Sequence, residues 1–159
     1  AGVARGLVHH YFKNKEDLFV QVLAAFYDEV VRPGFDALPG DSPETLAAAA
    51  TQMLRRGFEA APDFFALDYE SLSVGRRSEL VRQAMHDLWQ RQRRAIEADV
   101  TRLRELGAIR SELPDGGLTT MIIGVAHGLG LQLLGEPELI EDAQTWIALE
   151  DTLRKLFSG

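Results

Sequence analysis

Apolar residues recur along this chain at helical spacing almost from end to end. Leu18, Val22, Phe26 and Val30 fall four apart with Phe19 and Leu23 beside them, a stripe that predicts a helix from Lys15 to about Arg32. Glu16 and Asp17 sit in its first turn, where the helix dipole favours acids. A shorter helix over about residues 3–10 precedes it, with Tyr11-Phe12-Lys13-Asn14 as the turn between them. Pro33-Gly34 stops the longer helix and opens a loop that lasts to Asp41. Ser42-Pro43 then offers a capping hydroxyl and a proline at the first helical position, predicting a helix to about Ala60 through Leu46, Ala50, Met53, Leu54 and Phe58.

Pro62 opens the next helix, which carries Phe64, Phe65, Leu67, Tyr69 and Leu72 and ends near Gly75. Ser78-Glu79 starts the longest one, with Val81, Met85, Leu88, Trp89, Ile96, Val100, Leu103 and Leu106 expected inward. Gly107 is its expected left-handed terminus. At 1.5 Å per residue this helix is roughly 40 Å long. Pro114 precedes a helix to Gly135, and Pro137 precedes the last one, from about Glu138 to Phe157. No segment alternates with period two, so the fold class is all-α.

Composition narrows the function. The 159 residues are 46% hydrophobic and 26% charged, ordinary for one globular domain with or without a small appendage. No apolar run is expected to reach the ~18 residues that cross a bilayer, so no membrane partner is expected. The absence of cysteine removes disulfides, thiolate metal sites and cysteine nucleophiles, and suits a cytoplasmic setting. The formal charge of −7 argues against nucleic acid until its distribution is read. Residues 1–15 hold Arg5, Lys13 and Lys15 with no acid, while the rest of the chain holds all 24 acids and 14 of the 17 bases. A short cationic head thus leads an acidic body.

That head has the makings of a groove-reading helix. Gly2 can turn the chain, and Val3, Val8 and Phe12 can anchor one side of the short helix. Arg5, Leu7, His9 and His10 are then free to project elsewhere. Lys15, beside the unpaired backbone N–H groups at the next helix's start, suits a phosphate. The run from Gly2-Val3 through Tyr11-Phe12 to Lys13-Asn14-Lys15-Glu16-Asp17-Leu18 resembles the second half of the helix-turn-helix of the TetR/AcrR family of transcriptional regulators.

The resemblance implies a remnant of a helix-turn-helix head (residues 1–32 with the connecting helix) followed by a helical ligand-binding and dimerisation domain (residues 33–159). It places Arg5 where base edges are read and Gly6 where the backbone nears the groove. His9 falls at the family's phosphate-contacting tyrosine, with His10 adjacent and Tyr11 on the DNA backbone. Lys15 falls at the phosphate-contacting lysine, assisted by Lys13. Leu7 replaces a threonine and offers only apolar contact, for instance to a thymine methyl. The resemblance also implies about thirty residues before Ala1, which would form the first helix of the motif and most of the second.

For the body, the resemblance implies a homodimer formed by the last two helices and a pocket for a small-molecule effector among the middle ones. Gly124, Gly128, Leu131, Trp146, Ile147, Leu153 and Phe157 are the expected interface residues, with packing inside one subunit as the other reading. Phe58, Phe65, Tyr69, Met85, Trp89 and Met121 are the expected apolar walls, and His86, His127 and Gln132 the polar contacts. Simple core packing competes for each aromatic and methionine, and a hydrogen-bonded core histidine competes for His127. Arg91, Arg93, Arg94, Arg102 and Arg104 read as a solvated face. The expected function is a repressor that binds operator DNA as a dimer and releases it to an effector. The alternative is a helical interaction or ligand-binding module that does not bind DNA. No His-Glu-x-x-His, Glu-x-x-His, Gly-x-Ser-x-Gly or phosphate-binding loop occurs, and adjacent His9 and His10 diverge on a helix. Neither an enzyme, a metal nor a cofactor is expected.

Overall fold

A computed structural model describes residues 14–32 and 38–159. The described residues form six α-helices and no strand. They are α1 (Lys15–Phe26, continued by a wide π-type turn, Tyr27–Val31), α2 (Pro43–Ala60), α3 (Asp63–Gly75), α4 (Glu79–Glu105), α5 (Asp115–Gly135) and α6 (Ala143–Ser158). A single 3-10 turn, Pro137–Ile140, links α5 to α6. The short helix expected near residues 3–10 lies outside the described residues.

Local chemistry sets most of these boundaries. Asn14 caps α1 by accepting the Asp17 N–H at 2.8 Å. Ser42 and Thr45 cap α2 reciprocally, each side-chain oxygen accepting the other's backbone N–H, at 3.2 and 3.1 Å. Such a cap contributes about 1 kcal/mol. Gly107 takes φ +82° at the end of α4, the left-handed position anticipated there. The last helix departs from expectation. Pro137 opens only the 3-10 turn, and α6 begins at Ala143 because Asp142 caps it, accepting the Gln144 N–H at 3.0 Å.

Two cores share α4. In the first, Leu23 and Tyr27 of α1 pack on Val81, Met85 and Leu88. Arg91 lies over the Tyr27 ring at 5.9 Å with its guanidinium 3.8 Å from Asp28, tying the wide turn to the same helix. In the second, Ile96, Val100 and Leu103 join Leu46, Ala50 and Phe58 of α2 and Trp146, Leu149, Leu153 and Phe157 of α6. Burying each side chain of this size stabilises the fold by about 1.5–3 kcal/mol before chain entropy is subtracted.

Arg104 pins the connection that follows α4. It donates to Asp115 Oδ1 at 2.9 Å and to the carbonyls of Leu113, at 2.8 Å, and Ser111. It is therefore a buttress of the chain's turn into α5, where a solvated residue was expected. The carbonyl of Phe157 accepts from the N–H groups of Arg110 and Ser111, so the same connection also holds the end of α6.

Three expectations are corrected. Leu106 was expected inward and is 57% exposed, because α4 ends before its stripe returns to the core. Trp89 is only partly covered, its ring spanning the edge between α4 and α5. Asp115–Gly135 is also long and apolar enough, by length and composition, to cross a membrane, although no such run was expected. It carries no charged residue from Gly116 to Gly135, although glycines and threonines interrupt its large apolar side chains.

Candidate functional site

A cavity of about 150 Å³ opens among α2, α3, α4 and α5. Its walls include Phe58 and Phe65, Ile96 and Val100, and Ile122 and Ile123. Phe65 and Phe58 lie 4.9 Å apart between ring centres, and Phe64 meets Phe65 edge-on at 5.2 Å. Gly130 admits the Phe65 ring: a Cβ there would lie 2.6 Å from its Cγ and Cε1. This is the one α5 glycine whose lack of a side chain is needed inside the subunit.

Polar groups in the wall are few. Gln92 and Asp99 face it from α4, with Asp99 held by Arg102 at 3.1 Å. His127 faces it from α5. The imidazole stands edge-on to Phe65 at 5.8 Å and to Trp89 at 6.4 Å. Behind it lies Asp68, 3% exposed, with Oδ2 3.6 Å from His127 Nδ1. Among the described residues that oxygen has no hydrogen-bond partner, nor do the buried Thr51 and Thr119 hydroxyls. Burial pushes the Asp68 carboxyl above its ordinary range, while the imidazole and the Trp89 indole pull it back. The Tyr69 hydroxyl donates to the His127 carbonyl at 2.8 Å, and burial pushes its own pKa up.

Of the expected pocket residues, Phe58, Phe65 and His127 line the cavity, and Tyr69 and Trp89 steady His127 from outside it. Four are elsewhere. Met85 is buried in the α1–α4 core, and His86 is exposed on α4. Met121 and Gln132 are exposed on α5, the latter bonded back to the Gly128 carbonyl at 3.4 Å. Asp68 was missed, although it continues the inward stripe one turn after Phe64 and Phe65 and one before Ser71.

The outer face of α5 is a second feature. Met121, Gly124, Gly128 and Leu131 fall on one stripe, all exposed, and a Cβ added at either glycine would meet nothing within 4 Å. Leu131 is 54% exposed, and Ile147 on α6 is 61% exposed. Trp146, Leu153 and Phe157, expected at the same interface, are spent inside the subunit against α2. Trp146 is fixed there by its indole N–H, which donates to the Ile140 carbonyl at 2.8 Å.

Residues 1–22 match the family model of the bacterial regulatory proteins of the tetR family. That similarity, confined to the first 22 residues, supports a transcriptional regulator of the TetR kind. No curated protein and no solved structure matches the chain. Of the residues assigned to DNA, Arg5, Gly6, Leu7, His9, His10, Tyr11 and Lys13 lie outside the described residues. Lys15 is the first residue of α1. The TetR match ends at Val22, one position before Leu23, the residue that seats α1 in the α4 core.

Proposed function

We propose that the chain is part of a repressor that binds operator DNA as a homodimer and is released by a small-molecule effector. Residues 1–32 do the reading, and residues 33–159 bind ligand and dimerise. In this reading Arg5 and Leu7 meet base edges, and His9, His10, Tyr11, Lys13 and Lys15 hold the DNA backbone, with Gly6 giving clearance.

The observation that carries the reading is the shared α4. Its first half seats the helix that continues the family match, and its second half walls the cavity. A ligand that favours one placement of α4 therefore biases the placement of α1 and of the head before it. Only a difference in affinity between the DNA-competent and incompetent forms releases DNA.

The bare stripe on α5 supports a dimer. A two-fold pair sets two heads about one DNA turn apart, roughly 34 Å. Small residues at Gly124 and Gly128 let a partner helix approach closely, with Met121, Leu131 and Ile147 supplying apolar area. A second copy suits this face better than lipid. The opposite side of α5 is committed to the protein's own core through Leu118, Thr119, Leu129 and Gly130.

The test is a gel-shift titration of the intact gene product on DNA flanking its own gene, at several salt concentrations, with its mass read by sedimentation. Selective binding by a dimer, with a steep salt slope and release by an apolar compound, is expected. Absence of selective binding would leave a helical ligand-binding module without an operator. Monomers appearing on ligand addition would remove the proposed release mechanism.

A further inference from the structure

The apolar wall of the cavity is long. It takes in α4 from Gln92 to Leu103 and α2 from Leu46 to Phe58. At about 1.5 Å per residue, each stretch runs roughly 16–18 Å from end to end. Charge hardly interrupts it. Among the described residues that line the cavity none is lysine or arginine, and Asp99 is the one acid. That acid already has a counter-charge from outside the cavity: Arg102 donates to its Oδ1 from Nε at 3.3 Å and from Nη2 at 3.1 Å. Resting on the reading of this cavity as the ligand site, we propose that its ligands are uncharged lipophiles with an extended hydrocarbon chain. Ionised amphiphiles of the same length are selected against.

Each kind of ion fails for its own reason. A carboxylate would enter a wall that holds Asp99 and no basic side chain, and an unpaired charge leaves water at a high cost. His127 is the one lining group that can become cationic, and Asp68 Oδ2 stands 3.6 Å from its Nδ1. With one proton between them that pair is neutral as a whole, whichever side carries it. An ammonium would meet a carboxylate already joined to a guanidinium. It would also find no aromatic cage, since Phe58 and Phe64 pack on Phe65 at 4.9 and 5.2 Å.

The cavity is open on one side, so a charged head can stay in water at its mouth. The chain behind it is then drawn partly off the apolar wall. Leaving two methylenes outside weakens binding by about tenfold. A neutral end carries no such restriction, and Gln92, which both donates and accepts, can meet it inside.

The experiment is calorimetric titration of the whole chain with decanol, decanoate and decylammonium, each below its micelle concentration. It is run at about pH 8, where both ions keep their charge. Decanol is expected to bind at least tenfold more tightly than either ion. From hexanol through octanol to decanol, each added pair of methylenes should tighten binding by about tenfold. Gln92→Lys places a cation in the wall and should raise decanoate affinity at least tenfold, with decanol changing by about threefold or less. Should Gln92→Lys fail to fold, Asp99→Asn serves, since it removes the acid and frees the Arg102 guanidinium beside the wall; decanoate should again gain. An ion that binds as tightly as decanol, a flat chain-length series, or a decanoate affinity unmoved by both substitutions would overturn the class and leave the cavity as a ligand site. Binding of none of these chains would remove the class and count against the reading beneath it.

Discussion

Replacing Gly130 by alanine probes the packing that shapes the cavity. The new methyl would fall 2.6 Å from Cγ and Cε1 of Phe65 and closer still to Cδ1. Carbon atoms in contact settle near 3.5–4.0 Å, so the ring must retreat by about 1 Å. It cannot do so freely, because Phe58 and Phe64 stand 4.9 and 5.2 Å away and His127 5.8 Å away. Overpacking of this kind costs about 1–3 kcal/mol. Alanine in a helix interior returns about 1 kcal/mol over glycine. The net expectation is a destabilisation of about 0–2 kcal/mol, read as a lower urea midpoint at fixed protein concentration. Phe65→Leu should make the second change nearly harmless, giving a coupling energy of about 1 kcal/mol in a double-mutant cycle. A Gly130→Ala protein more stable than its parent, or additive behaviour in the cycle, would refute the packing described.

Three further outcomes are expected. Leu131→Glu together with Ile147→Glu should turn a dimer into monomers in sedimentation runs while shifting the thermal midpoint little, since both side chains are largely exposed in the subunit; persistence of the dimer would move the interface elsewhere. Arg104→Ala should cost about 1.5–3 kcal/mol in chemical denaturation by freeing Asp115 and two carbonyls, and lysine should recover little, lacking the planar fork. Burial holds the folded-state pKa of Asp68 above its unfolded value, so the folded protein binds that proton more tightly and stability falls as pH rises through this range. Relative to Asp68→Asn, the parent should therefore lose ground between about pH 4, near the unfolded aspartate value, and pH 7; a gain would reverse the sign assigned to its environment.

Where the outcome was set by neighbours in sequence, the residues were readable. The start of α2 follows from Ser42 and Pro43, and the stop after α4 follows from Gly107, because a cap or a positive φ is decided within a few residues. The amphipathic α4 announced Val81, Met85, Leu88, Ile96, Val100 and Leu103 as core. On α5 this logic fails, since apolar residues surround the helix, and nothing in its own sequence tells Leu129, buried, from Leu131, exposed. Only the arrival of α3 and α4 on one side decides. The candidate site was legible in the same proportion. A lone histidine on an apolar helix drew attention to His127, and Phe58 and Phe65 followed from size. Asp68 was lost because an acid on a helix reads as solvent-facing unless its register against Phe64 and Ser71 is checked.

Neither glycine nor proline interrupts the twenty-seven residues of α4. A helix of that length without either residue lacks the usual site of a sharp kink at which a disturbance can be absorbed. On the proposed function, side chains around its far end can change to suit a new guest while the near end keeps the same seat for α1. Divergence in what is detected would then be separated from the machinery that reports it.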